Sequence, residues 1–473
     1  MVIAIVLAYI AATTGIGIYM MRRKTTLAGY FVAKKELGTW LIVPILFGEI
    51  IAGAGTVGNA AQAFGFGLSS VWVNWGMSIG CLLVMLTAAK FYRVIGNKFN
   101  SVSVPQVYKA RFDAKTRMVM MVVLVLVYAI LFAMQPVAAG NILAPLLGVD
   151  HTMITWFVGI LFITLCITGG MKGMAWMNAL HCTVMYIGMG IVCFAAVKFA
   201  GGFGGIQAAV PDTFFRMDQP DMLTMAGWLI GTALSFFAAS VLIAAIFGAK
   251  DVKSYRSGFA WAAVLTFIFA LFPALIGIVG RAIMPDAASG SILYLVAEQI
   301  GPTFTVLASM GILAAIMSTG PALLLLTTTM LSEDLYVLAK PQATEKQRLV
   351  FARVAMAVLG LAATYFGMHA GSILGQMAGA FQIRAIAGLV LLVAIFWPRV
   401  DSRAAFWSIL VGGLVAAVWH FSGNPYCTSL WPSLAVGVPI LVVLTLMAPK
   451  PVSDGYALYQ EALTEADAAG KLD

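Results

Sequence analysis

What this sequence has least of is charge. Lysine, arginine, aspartate and glutamate make up 10% of its 473 residues, while 62% are hydrophobic and the mean hydropathy is +0.97. An average soluble domain carries about 25% charged residues, so a soluble globular chain is excluded and an integral membrane protein is indicated. Histidine is nearly as scarce. The four present (His151, His181, His369, His420) form no HExxH-like pair, and no nucleophile pairs with a base, so an enzyme is not expected. The five cysteines (Cys81, Cys166, Cys182, Cys193, Cys427) are scattered, with neither a CxxC pair nor a disulfide framework. Period-two alternation is missing as well, so the apolar runs read as helices and not as barrel strands. The net charge of +9 would suggest nucleic acid in a soluble protein. Here the basic residues sit in short loops between apolar runs, which makes them a topology signal and excludes a nucleic-acid partner.

Runs long enough to cross a hydrocarbon core of about 30 Å fall near 2–21, 40–62, 68–92, 117–147, 151–169, 173–199, 225–248, 257–283, 304–331, 349–368, 371–397, 404–421 and 430–448. The expectation is an all-α integral membrane protein with 13 transmembrane helices, multi-pass in the inner or plasma membrane. Of the 28 Lys and Arg, all but four lie in loops on one side. Lys198, Arg216 and Arg281 lie on the other, and Arg384 falls inside a run. The N-terminus is therefore expected outside and the C-terminus inside. The first run has no basic residue before it and "RRK" after it, which argues against a cleaved signal peptide. A cytoplasmic tail, 449–473, is expected after the last span, as one short helix at most.

A solute transporter, a channel and a membrane-embedded enzyme are the competing classes. A channel needs a filter loop and fewer spans per chain. A transporter shows broken helices in corresponding halves. "FGEIIAGAGTVGNAAQAFGFG" (47–67) is one such break, with a carboxylate among glycines in a span. "GWLIGTALSFFAAS" (227–240) is the second, through Gly231, Thr232 and Ser235. They open two consecutive five-helix units, and five crossings invert the second unit against the first. The alternative is that these small residues only allow close helix packing.

Several stretches resemble the sodium/solute symporter family, which includes proline, pantothenate, sugar and sialic acid carriers. They are "AGYFVAKKELGTW" (28–40), "GAGTVGNAAQAFGFGLS" (53–69), "KFYRVIGNKFNSVSVPQVYKARF" (90–112), "ITGGMKGMAWMNALH" (167–181), "GAKDVKSYRSG" (248–258) and "AAIMSTGPALLLLTTTMLSEDLY" (314–336). The resemblance implies a leucine-transporter-type fold: an extra span at 1–21, a first repeat at 40–199, an inverted second repeat at 225–397 and two further spans at 404–448. These form one transporter domain, 1–448, working as a monomer in lipid. It implies a sodium (Na+) site made of the carbonyls of Gly48, Ile51 and Ala315 and the hydroxyls of Ser318 and Thr319. Oxygen donors at a helix break suit a hard cation; without the family, the hydroxyls would be read as bonding to the preceding turn. Family members with a second sodium site carry an Asp and a Gln where this chain has Asn178 and His181, and serines where it has Pro321 and Ala322. One sodium per cycle is therefore expected.

Two charges lie deep in the spans. Arg384 is about 20 Å of helix from the end of its run, and Glu49 about 14 Å from the end of its own. Either they line a solute site, which would suit a zwitterion or organic acid, or they form a structural ion pair. Asn74, Gln135 and Phe236 are further candidates for lining it. The function expected is sodium-coupled import of a small organic solute, with proton coupling on the same fold, or a channel, as alternatives.

Overall fold

A computed structural model describes residues 2–21, 37–169, 171–370 and 372–468; positions 28–36 of the first family-like stretch lie outside them. Among the described residues the chain is helical throughout, without strands. The helices of the first half are α1 (Val2–Met21), α2 (Thr39–Gly53), α3 (Asn59–Phe66), α4 (Trp72–Leu83), α5 (Ala89–Phe99), α6 (Val104–Arg111), α7 (Ala114–Leu147), α8 (His151–Gly169), α9 (Met171–Phe199) and α10 (Gly202–Ala209). Then follow α11 (Met222–Phe236), α12 (Ser240–Gly248), α13 (Val252–Phe269), α14 (Leu271–Ile283), α15 (Ile292–Ile300), α16 (Pro302–Met330) and α17 (Glu345–His369). The chain closes with α18 (Ile373–Phe396), α19 (Ser402–Phe421), α20 (Leu430–Leu446) and α21 (Asp454–Ala468).

Helix starts are written in side chains that accept from otherwise orphaned backbone N–H groups. Asp113, Asp221, Asp251 and Asp401 cap α7, α11, α13 and α19 in this way. Thr344 and Gln347 form a reciprocal capping box on α17. Among the described residues, eight helical stretches are long and apolar enough to cross a membrane, and five apolar helices are shorter. Two of the short ones, α2 and α11, are short because each ends at a break.

The two five-helix units pack reciprocally. α2, first helix of one unit, lies on α13 of the other, and α11 lies on α4 in return. α9 packs on α16 as α18 packs on α7. α16 is the centre: 94% of its most apolar window is buried. The close approach of α4 and α11 rests on Gly76 and Gly80, where any side chain would run into Leu229 and Ala233 backbone. Gly231 and Thr232 sit inside regular helix, and Thr232 bonds back to the Trp228 carbonyl at 2.6 Å. The break lies at 237–239, inside the expected stretch 227–240, and Gly231 and Thr232 before it serve packing.

The basic loops gather at one end. There Arg111 donates to the Val400 and Ala394 carbonyls, Arg399 to those of Leu446 and Ala448, and Arg93 to Ala249. The acidic "SEDLY" stretch belongs to this end: buried Asp334 takes Arg117 at 2.7 Å and the Ser103 hydroxyl at 2.6 Å. Leu37, just before α2, bridges to Ala249, between α12 and α13. Gly76→Ala should therefore force α4 from α11, lowering stability by about 1–3 kcal/mol. Thermal unfolding in detergent measures it, and an unchanged melting temperature would contradict the close approach.

Candidate functional site

α2 ends where Ala52 adopts φ 45°, a left-handed conformation costly for a residue with a Cβ. A wider π turn, Ala54–Gly58, follows before α3 resumes. In a membrane every backbone group freed by such a break must be met from within the protein. The Gly53 N–H donates to Gln135 Oε1 at 3.1 Å, and glycine at 53 leaves room for that contact. The Thr56 hydroxyl donates to the carbonyls of Ala52 (3.0 Å) and Gly53 (3.3 Å). Asn74 Nδ2 donates to the Gly55 carbonyl at 3.2 Å. One turn before the break, the Gly48 carbonyl accepts from Thr319 on α16 at 2.8 Å.

That last contact assembles four of the five expected ion ligands. Ser318 Oγ lies 2.8 Å from the Ala315 carbonyl and 3.4 Å from Thr319 Oγ1, which is 3.1 Å from the same carbonyl. A Cβ on Gly48 would stand 3.0 Å from Ser318 Oγ, so glycine is what lets α2 approach α16 here. Ile51, the fifth, is buried three residues further along α2, beside the break. The donor set is entirely neutral oxygen, carbonyl and hydroxyl, which suits a hard monovalent cation. Both hydroxyls also bond to the preceding turn, so the local reading and the cross-helix one hold together.

The second break, 237–239, is met by tyrosines. Ser240 N–H donates to Tyr128 Oη at 2.6 Å, and Tyr92 donates to the Phe237 carbonyl. Arg384 on α18 donates from Nε to Ser235 Oγ (2.7 Å) and from Nη1 to Tyr128 Oη (3.0 Å). Its guanidinium also lies over the Tyr128 and Phe381 rings. Glu49 is within its Coulombic reach, yet no ion pair joins them among the described residues. Glu49 Oε2 is buried and has no hydrogen-bond partner among the described residues.

The candidate lining residues therefore divide. Glu49 and Arg384 stand near each other, one at each break. Gln135 and Asn74 are engaged with the backbone of the first break. Phe236 is buried at the end of α11, against Gly80. The sequence does not single out Thr56, Tyr92 and Tyr128, and it marks Ser235 only as part of the second break. The available signal was a hydroxyl inside an apolar run, which has to find a partner when buried. At the second-site positions, Asn178, His181, Pro321 and Ala322 are all buried. His181 Nδ1 pairs with the Tyr9 hydroxyl of α1 at 2.6 Å, and the Pro321 carbonyl accepts from Cys166 at 2.7 Å.

A model of the Sodium:solute symporter family matches residues 30–412. The chain belongs to the sodium:solute symporter family. It is 24% identical to the high-affinity proline transporter PutP of Bacillus subtilis (strain 168), over 95% of this chain and 99% of that protein. It is 23% identical to the sodium/proline symporter of Escherichia coli (strain K12), over 97% and 95%. Its fold is similar to a substrate-bound, outward-open Na+-coupled sialic acid symporter, with a TM-score of 0.80 at 19% identity, covering 95% of this chain and 97% of that one. Mhp1, a nucleobase-cation-symport-1 family transporter, matches at 0.61 and 15%, covering 91% and 97%. This symporter thus has the leucine-transporter-type fold and is a transporter, not an enzyme. It is a multi-pass plasma-membrane protein that couples sodium to the movement of a small solute.

Gln135→Leu strands the Gly53 N–H, at a cost of about 1–3 kcal/mol, whereas Gln135→Glu keeps an acceptor there. A lower melting temperature without solute for the Leu variant alone is expected. Equal stability of both variants, with solute affinity lost, would assign Gln135 to the solute instead.

Proposed function

We propose that this symporter imports a zwitterionic solute or small organic acid with one sodium ion per cycle. The observation that carries the reading is the contact of Thr319 with the Gly48 carbonyl, beside Ser318 and the Ala315 carbonyl. In it, Gly48, Ile51, Ala315, Ser318 and Thr319 hold the ion. Its ligands belong to α2 at its break and to α16, so binding there favours the arrangement in which the two helices meet. The solute's cationic end goes to Glu49, whose buried Oε2 lacks a partner among the described residues, and its carboxylate to the guanidinium of Arg384. Asn74, Gln135 and Phe236 border this space. The proposal includes thirteen spans in one transport domain, 1–448, with the basic loops and the 449–473 tail in the cytoplasm. Both breaks lie in one chain, which supports a monomer in lipid as the working unit.

Sodium-gradient-driven uptake of labelled solutes into proteoliposomes tests the activity. Ser318→Ala with Thr319→Ala should raise the sodium concentration needed for half-maximal uptake steeply while the protein stays folded. Wild-type sodium dependence in that double variant would remove the site.

Asn178, His181, Pro321 and Ala322 offer neither a carboxylate nor a hydroxyl, which supports a single ion. One sodium crossing ~100 mV releases about 2.3 kcal/mol, and a tenfold gradient adds about 1.4. Accumulation of a neutral or zwitterionic solute is then limited to roughly 500-fold. A charge-to-solute ratio of one is expected from reversal potentials, and a ratio of two would contradict the single site.

Glu49→Gln and Arg384→Gln should each weaken solute binding, and the double variant should restore neither affinity nor stability. If the two instead formed a structural pair, either single change would cost about 3–5 kcal/mol, and the double variant would recover much of it. Melts and binding isotherms on the three variants separate the outcomes.

A further inference from the structure

At the end of the molecule that carries the basic loops, a cavity of about 170 Å³ opens between the last turns of α5, the start of α13 and the tail helix α21. Lys90, Arg93, Asn97, Lys98, Tyr255 and Glu465 line it. The walls are held in place independently of any ligand. Arg93 lies 5.8 Å over the Tyr255 ring and donates from Nη1 to the carbonyls of Ile246 and Ala249 at 3.3 and 3.1 Å. α21 is docked by Tyr459 against Phe91, ring centroids 5.0 Å apart, and by Lys98 with Glu465 at 3.1 Å.

The charge balance is uneven. Lys98 is neutralised by Glu465. Arg93 Nη2 and the Lys90 ammonium have no partner among the described residues, and Arg93 Nε is buried without one. Asp251 caps α13 through Ser254, whose hydrogen bonds hold its carboxyl below the usual carboxylate range, and it acts on Arg93 from outside the cavity lining. Three cations and an amide thus line a small space in which Glu465 is the one carboxylate among the lining residues, leaving an excess of positive charge. Just before Lys90 on the same helical run, Leu83 and Leu86 are exposed, Leu86 by 73%. Across the opening α13 exposes Trp261 and Val264. Apolar surface meant for acyl chains therefore gives way to the cavity within about one helical turn.

We propose that this cavity binds a phosphoryl group, supplied by an anionic lipid whose chain lies along Leu83 and Leu86. Basic pockets between spans on the cytoplasmic side are where such head groups bind, and each nearby cation contributes about 1 kcal/mol. The head group is held by Lys90 and Arg93 on the span, while Glu465 of the tail helix stays paired with Lys98. Neither the sodium site nor the solute site takes part, and the inference stands apart from the choice of solute.

Protein reconstituted with phosphatidylglycerol and phosphatidylcholine, gently extracted and weighed by native mass spectrometry, tests it. The wild type should retain phosphatidylglycerol preferentially. Lys90→Gln, at an exposed position, should lose about fivefold in retention, with the melting temperature in detergent unchanged. Glu465→Gln, which frees Lys98, should gain by a similar factor. Titration with inorganic phosphate distinguishes the source. Displacement of the lipid supports the same phosphoryl site, and phosphate binding without lipid retention supports it with a soluble ligand. Equal retention of both lipids with no phosphate binding, or retention indifferent to both substitutions, overturns the proposal.

Discussion

A helix interrupted inside a membrane exposes peptide groups that no water can reach, and each must be met by the protein or by a ligand. The left-handed Ala52 creates that demand at the centre of this symporter. Gln135, Thr56, Asn74 and Thr319 answer it from the π turn and three different helices, α4, α7 and α16. Packing of α2 against its neighbours is therefore set by hydrogen bonds as well as by fit. The same bonds that hold the break hold the oxygen cluster, which makes ion binding and helix geometry one problem.

The second break solves the same problem with different chemistry. Its freed groups are taken by the hydroxyls of Tyr92 and Tyr128, and Tyr128 in turn receives Arg384. A guanidinium at this depth is tolerable because it bonds two hydroxyls and lies over two aromatic rings. Glu49 has no such support. An unpartnered buried carboxylate is expensive to keep, and its persistence beside the break is the strongest structural argument that something binds it.

The basic end of the molecule obeys the complementary rule. There charge is abundant and part of it is paired: Arg117 with Asp334, Arg348 with Glu333, Lys98 with Glu465. Arg111 is buried but spread over carbonyls and the Ser453 hydroxyl, joining α6 to the tail. These contacts close one end of the bundle with bonds that can exchange for water, while the centre has no such exchange available. Motion between states costs least where water can take over broken bonds.

The sequence by itself determined the class, an all-helical membrane transporter, because lipid imposes a composition on every apolar run that crosses it. It also carried the pairing of two interrupted helices and, through "MST" in α16, the oxygen-rich stretch that meets α2. It placed the second break within 227–240 but not at 237–239 inside that stretch, since Gly231 and Thr232 look identical in sequence whether they unwind a helix or let two helices touch. Only the tertiary structure decided that question, by putting Gly76 and Gly80 against the same helix. It alone decided that Gln135 serves the backbone and that Tyr128 joins Arg384 to the second break. Those roles depend on which buried polar groups fall within hydrogen-bonding distance, and residues 82 and 256 positions apart in the chain meet only through packing.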